Sequence, residues 1–231
     1  MRRTKNARIR ASYTLQYADM TGSSTSTAAA LISAGVPNLR STFPTNADRR
    51  HSFNLTLDYR YSEGKNYNGP VVKGHQILSN TGFSLQVNGG SGTPYTASRT
   101  VSSPISGGNN LLQGTYNGSR IPASFRFDLR VDKDFNFTVG GKKEGESKGR
   151  EMGVNVYLQV LNLLNSKNIT DVYPATGNAN DDGYLSAPAW QREINSQIDP
   201  QAFIQMYQLI VNNGYYYSMP RHIRLCLSFN F

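Results

Sequence analysis

Apolar and polar residues alternate singly along six stretches of this chain. A period of two is the signature of a β-strand whose faces meet different surroundings. The last stretch is the clearest: from Pro220 onward, Ile223, Leu225, Leu227, Phe229 and Phe231 fall on one face, and His222, Arg224, Cys226, Ser228 and Asn230 on the other. A first strand, predicted over about 7–18, sets Ala7, Ile9, Ala11, Tyr13, Leu15 and Tyr17 against Arg8, Arg10, Ser12, Thr14 and Gln16. A second, over 51–61, sets Phe53, Leu55, Leu57, Tyr59 and Tyr61 against Ser52, Asn54, Thr56, Asp58 and Arg60. The third (82–88) has Phe83, Leu85 and Val87 opposite Ser84, Gln86 and Asn88. The fourth (124–139) has Phe125, Phe127, Leu129 and Val131, then Phe135, Phe137 and Val139, opposite Arg126, Asp128, Arg130 and Asp132. Lys133 interrupts its apolar face, where a long stem can carry the ammonium out to a lipid headgroup. The fifth (154–162) has Val154, Val156, Leu158 and Val160 opposite Asn155, Tyr157 and Gln159.

The segments between these strands sort by length. Those after the first, third and fifth strands are long, and those after the second and fourth are shorter; the fourth reads GGKKEGESKGREMG. In a meander, alternate connections leave the sheet on the same side, so the chain has a long-loop face and a short-turn face. Outer-membrane barrels are built this way, with short periplasmic turns and longer extracellular loops, and their strands alternate apolar toward lipid and polar toward the lumen. A soluble β-sandwich has the same alternation but no reason to sort its loops. The expected fold is therefore all-β: an antiparallel up-and-down meander of about six strands forming part of a transmembrane β-barrel, with long extracellular loops and one loop helix. A soluble sandwich acting as a binding module is the competing expectation. The helix is predicted in the last connection, where Asp199 can cap it, Pro200 suits its first turn, Phe203, Tyr207 and Ile210 share a face, and Asn213-Gly214 ends it. A short helical turn is also predicted over 28–32.

Composition narrows the function. The hydrophobic fraction is 38% and no run approaches the roughly 18 apolar residues of a spanning helix, which excludes a helical membrane protein and leaves a barrel untouched. The net charge of +9 is scattered along strands and turns instead of forming a basic module, so no nucleic-acid partner is expected. The single cysteine, Cys226, excludes an internal disulfide. No nucleophile elbow, phosphate loop or zinc spacing occurs, and His51, His75 and His222 are far apart, so the chain does not read as an enzyme. Asn178, Asn180 and Asp182, followed by Gly183, copy the oxygen spacing of a calcium loop, but Ala189 stands where the closing glutamate belongs. An Asx-rich turn is the simpler reading; calcium is the only cofactor the sequence suggests, and it would stiffen the longest loop.

On the polar face Arg8, Arg10, Arg60, Arg126, Arg130 and Arg224 outnumber Asp58, Asp128 and Asp132. In a barrel these line the lumen, pairing with one another and with whatever fills it. Candidates to touch a ligand such as a peptide, glycan or chelate are the loop aromatics Tyr95, Tyr116, Tyr184, Trp190 and Tyr215 to Tyr217.

Four segments carry a resemblance. They are Ser91-Gly-Thr-Pro-Tyr-Thr96, Arg120-Ile-Pro with Phe127-Asp-Leu-Arg-Val-Asp-Lys-Asp-Phe135, Val160-Leu-Asn-Leu-Leu-Asn165, and the closing Leu-Ser-Phe-Asn-Phe. Together, over about 51–231, they resemble the C-terminal barrel region of TonB-dependent receptors, and among them those with a carboxypeptidase-regulatory-like N-terminal extension. The resemblance implies a bacterial outer-membrane location and active import of a scarce nutrient through a large plugged barrel. It implies as partners the outer-membrane lipid, an inner-membrane energy-transducing protein and a surface lipoprotein, and it makes Phe229 and Phe231 the C-terminal assembly signal. Nothing in the chain resembles the plug, no secretory signal follows Met1, and six strands are too few to close a barrel. Residues 1–231 are thus expected to be the C-terminal portion of a longer receptor whose plug and remaining strands lie upstream. A structural or adhesive outer-membrane barrel is the alternative.

Overall fold

The computed structural model describes residues 6–21, 33, 42–101, 111–139 and 150–230. Six long strands form one antiparallel sheet in chain order: β1 Ala7–Leu15, β2 His51–Arg60, β3 Thr81–Gly90, β4 Ser124–Val139, β5 Arg150–Leu161 and β6 His222–Asn230. Each strand pairs with its neighbour in sequence, so the sheet is an up-and-down meander. It is not closed: β1 and β6 each keep one side unpaired among the described residues. β5 starts four residues before its predicted start at Val154, because the long β4 offers it a ladder that continues through Phe137↔Met152 to Val139↔Arg150. The helical turn expected at 28–32 and the assembly residue Phe231 lie outside the described residues.

The register keeps like with like. One row runs Ile9, Leu57, Leu85, Leu129, Val160, Ile223 across all six strands. The next polar row runs Arg8, Asp58, Ser84, Arg130, Gln159, Arg224. A slip of one residue at any pairing would turn a whole strand over, which is why such a pattern specifies its register. The polar face is tied by ion pairs: Arg60 to Asp132 and, at 2.5 Å, to Asp134; Arg126 to Asp128 at 2.8 Å; Arg130 to Asp132 at 3.9 Å. Arg130 also lies 4.0 Å over the Tyr157 ring, and Ser84 donates to Asp58 at 2.6 Å. Arg8, Arg10 and Arg224 make no ion pair among the described residues.

The apolar face is largely open, with only Val87 and Val160 on it buried. Ile9, Phe125, Phe135, Leu158, Leu225 and Phe229 are all exposed, and no helix or second sheet is laid over them among the described residues. The Lys133 ammonium donates to the Ile77 carbonyl at 2.5 Å in the β2–β3 connection.

The buried hydrophobic cluster sits instead in the longest loop. It is built from Tyr184, Ile194, Tyr207 and Val211, with Phe203, Ile204, Leu185 and Trp190 packed around them. Two helices carry it: α1, Gln191–Asn195, absent from the sequence expectation, and α2, Pro200–Val211. α2 starts where its cap requires, with the Asp199 carboxylate accepting the N–H groups of Gln201 and Ala202, both at 3.0 Å. Its inward face is Phe203, Tyr207 and Val211; Ile210, expected beside them, is 69% exposed. The core stripe therefore runs at i, i+4, i+8, one residue further round than the spacing suggested.

Candidate functional site

The three long connections meet at one end of the sheet. The β1–β2 loop meets the β3–β4 loop through Asp48, which is fully buried and ion-paired to Arg120. Asp48 also accepts the Ala18 N–H at 3.2 Å and faces Arg50 at 3.6 Å. Arg120 further donates to the carbonyls of Asp48 at 2.9 Å and Gly92 at 3.1 Å. Burial alone would raise the Asp48 pKa, but the Arg120 hydrogen bond, the Ala18 N–H and the charges of Arg120 and Arg50 outweigh it and hold the carboxyl below the ordinary carboxylate value. Close by, Asn117 sits in a left-handed backbone conformation (φ 53°) and donates to Pro44 O and Asn46 Oδ1, both at 2.8 Å. The β3–β4 loop meets the β5–β6 loop where Ser98 N–H reaches Pro174 O at 2.9 Å and Trp190 Nε1 reaches Val101 O at 3.2 Å.

The segments that carried the resemblance turn out to be joints of this layer. Pro94 and Tyr95 pair with Arg120 and Ser119 in a two-residue ribbon, so the Gly-Thr-Pro-Tyr and Arg-Ile-Pro segments are one structural unit. Gly92 is glycine because the Ile121 carbonyl occupies the place of its side chain: a Cβ there would stand 1.6 Å from that oxygen. Gly92→Ala should force the two segments apart, a loss of about 1–3 kcal/mol, seen as faster amide exchange at Ile121, whose N–H bonds Thr93 O at 3.1 Å. Unchanged exchange there would show that the ribbon yields freely.

In Val160-Leu-Asn-Leu-Leu-Asn165, Asn162 is buried, left-handed (φ 53°) and fully used. Its N–H donates to Asp128 at 2.9 Å, its amide donates to the carbonyls of Ser166 and Met219 at 3.0 Å each, and its Oδ1 accepts the Ser166 N–H at 2.9 Å. Through its backbone N–H and its side chain, this one residue thus ties β4, the end of β5 and the approach to β6.

The aromatic candidates are not gathered into one surface. Tyr116 and Tyr215 are exposed, at 39% and 91%. Tyr95 is half-buried with its hydroxyl against Gly177, Tyr216 packs edge-on to Tyr173 at 4.8 Å, and Tyr217 is half-buried. Trp190 lies 5.8 Å from Tyr184 and is held by Val101. Tyr184 has no exposed surface, so it cannot touch a ligand; it is the centre of the loop core, a role its place in a polar loop concealed.

Asp182, the last oxygen of the calcium-like run, is used internally: Oδ1 accepts the Tyr184 N–H at 3.0 Å and Oδ2 accepts the Tyr207 hydroxyl. Asn178 and Asn180 are exposed, and no group of three or more His, Cys, Asp or Glu side chains that could hold a metal ion occurs among the described residues. The donor set is that of an Asx turn capping a buried tyrosine.

Burial first, then the hydrogen bond to Glu193, pushes Tyr184 up to about 12, and burial with the hydrogen bond to Asp182 pushes Tyr207 up as well. Both folded values lie above the ordinary tyrosine pKa of 10.0. Their contribution to the loop core is therefore complete below that pH and is lost as pH rises from there through the folded values. In an alkaline titration followed by the tyrosinate absorbance band, two of the fourteen tyrosines should ionise last, together with loss of loop structure. A single titration of all tyrosines near the ordinary value would contradict the buried cluster.

No known protein family, curated protein or solved structure matches the chain. Two residues that hold this layer together went unnoticed in the sequence: Asp48 and Asn117. The only local sign was the acidic residue in Asn46-Ala-Asp-Arg-Arg50, set beside two arginines just ahead of a strand.

Proposed function

We propose that this chain is part of the wall of a bacterial outer-membrane β-barrel, and that the barrel is a nutrient-import receptor of the TonB-dependent kind. The observation that carries the first half is the apolar face. It continues across all six strands with no covering layer among the described residues; apart from Val87 and Val160, which the sheet itself buries, the largest buried hydrophobic cluster lies in the loop layer. A sandwich would bury that face against a second sheet about 10 Å away. The dimensions agree with lipid. From Phe125 to Phe137 on β4 the apolar positions span about 40 Å along the strand, or about 28 Å after a tilt of about 45°, against an apolar band of about 25 Å in such barrels. The two open edges need further strands, because backbone groups facing lipid must be paired. The import half rests on the four segments that resemble the receptor family, two of which meet in the Gly92–Ile121 ribbon and one of which forms the Asn162 joint.

The test is to express the chain in plain buffer and in detergent micelles and to follow sedimentation and β-content. Aggregation in buffer with recovery of β-structure in micelles is expected. A monodisperse, cooperatively melting monomer in buffer would overturn the barrel. Import is tested by extending the reading frame upstream of Met1: an in-frame plug domain supports it, and barrel strands without a plug would favour an adhesive or structural protein instead.

A further inference from the structure

Where the polar face of the sheet runs into the loop layer, the molecule forms a half-open cavity of about 640 Å³, a size typical of small-molecule sites. Its floor is a ladder in register. Asn54 pairs with Asn88 and Asn88 with Arg126, and one step nearer the loops Ser52 and Ser124 flank Gly90. Arg49 enters from the β1–β2 loop and lies across Gly90. A Cβ on that glycine would stand 2.8 Å from Arg49 Cδ and 3.2 Å from Nε, so the missing side chain is what lets the arginine cross the strand.

The polar groups here differ in what they have left to offer. Arg126 is neutralised by Asp128, with Nη2 to Oδ2 at 2.8 Å. Arg49 has no ion pair among the described residues, and the Asn54 and Asn88 amides have no side-chain hydrogen bond among them. Ser218 Oγ, at the same wall, is buried without a partner among the described residues. An unneutralised guanidinium selects one planar anionic group. Carboxamides and hydroxyls, each able to donate and accept, match the hydroxyls of a polyol better than they match apolar side chains.

We propose that this cavity binds an acidic sugar, its carboxylate on Arg49 and its hydroxyls on Asn54, Asn88 and the flanking serines. The proposal deepens the import reading by naming a ligand class, and rests on it only for how the sugar arrives. The test is calorimetric titration of the full chain, folded in a nonionic detergent, with digalacturonate. Its dimethyl ester and a tripeptide with a free C-terminal carboxylate serve as comparators. Digalacturonate should bind, and the neutral ester should bind at least about tenfold more weakly. Arg49→Gln should reduce binding of the acid to the level of the ester. Asn54→Asp, which removes no volume, should abolish binding of the acid by placing a like charge beside it. Equal binding of acid and ester, no binding by a protein with intact β-content, or an unchanged affinity in Arg49→Gln would overturn the proposal. A tripeptide bound as tightly as the sugar acid would overturn the choice of a sugar. A chain that proves soluble without detergent yet binds the acid would refute the barrel and leave this site standing.

Discussion

Leu158→Arg is expected to cost about 2–4 kcal/mol when the chain is folded into a bilayer, the penalty of an arginine on a lipid-facing strand near the membrane midplane. Leu158 is paired with Val131 and Leu225 on the apolar face, and Val131 lies midway between Phe125 and Phe137, so the position is deep in the proposed band. It is also 40% exposed, so no close-packed core would be disturbed, and in a soluble protein the substitution would be mild. The matched control is Gln86→Arg on the other face. There the register neighbours are Thr56 and Asp128, and the added charge meets water and a carboxylate, for an expected change within about 0.5 kcal/mol. Urea unfolding from lipid vesicles reads both. Equally small changes at the two positions would remove lipid from the apolar face.

Asp48→Ala is expected to loosen the loop layer by about 2–4 kcal/mol. Breaking a buried ion pair by removing one partner costs about 3–5 kcal/mol, because the other charge is left without compensation. The figure is reduced here because Arg120 is 26% exposed and water can reach it. Amide exchange at Ala18, which donates to Asp48, should quicken first. Removing the second charge as well, in Asp48→Ala with Arg120→Met, should be less damaging than the single change, since no buried charge remains unmatched. The folded pKa of Asp48 is depressed, so its contribution is fully present above the unfolded carboxylate value of about 4 and is lost as pH falls through the lower folded value. Wild type and variant should therefore converge in strong acid. A gap that persists there would assign the effect to lost packing.

The strands and their faces could be read from the chain because alternation is a property of a few adjacent residues. The pleat sends successive side chains to opposite faces whatever the strand later meets. Hence alternation alone puts Ile223 and Leu225 with Val160 and Leu158 on the apolar side, and Arg224 with Gln159 on the polar side, as the pairing has them. The cap of α2 was legible for the same reason, since Asp199 and Pro200 act on the N–H groups of the next turn.

The loop layer was not legible, because its contacts join residues far apart in the chain. Asp48 and Arg120 are 72 positions apart, Trp190 and Val101 are 89 apart, and nothing in the neighbourhood of either partner announces the other. Tyr184 and Tyr116 look equivalent as aromatics in polar loops, yet one is wholly buried and the other exposed. Only the folded arrangement of three loops decides which of the two is enclosed. By itself the sequence determined a six-stranded meander with one apolar and one polar face and its long loops on one side. Tertiary structure decided what those loops do with their polar and aromatic residues: which carboxylate is buried on which arginine, which tyrosine becomes core, and that Arg49, over a polar cavity, has no ion pair among the described residues. Side-chain direction follows from local backbone geometry, whereas burial and charge pairing depend on what the rest of the chain brings near.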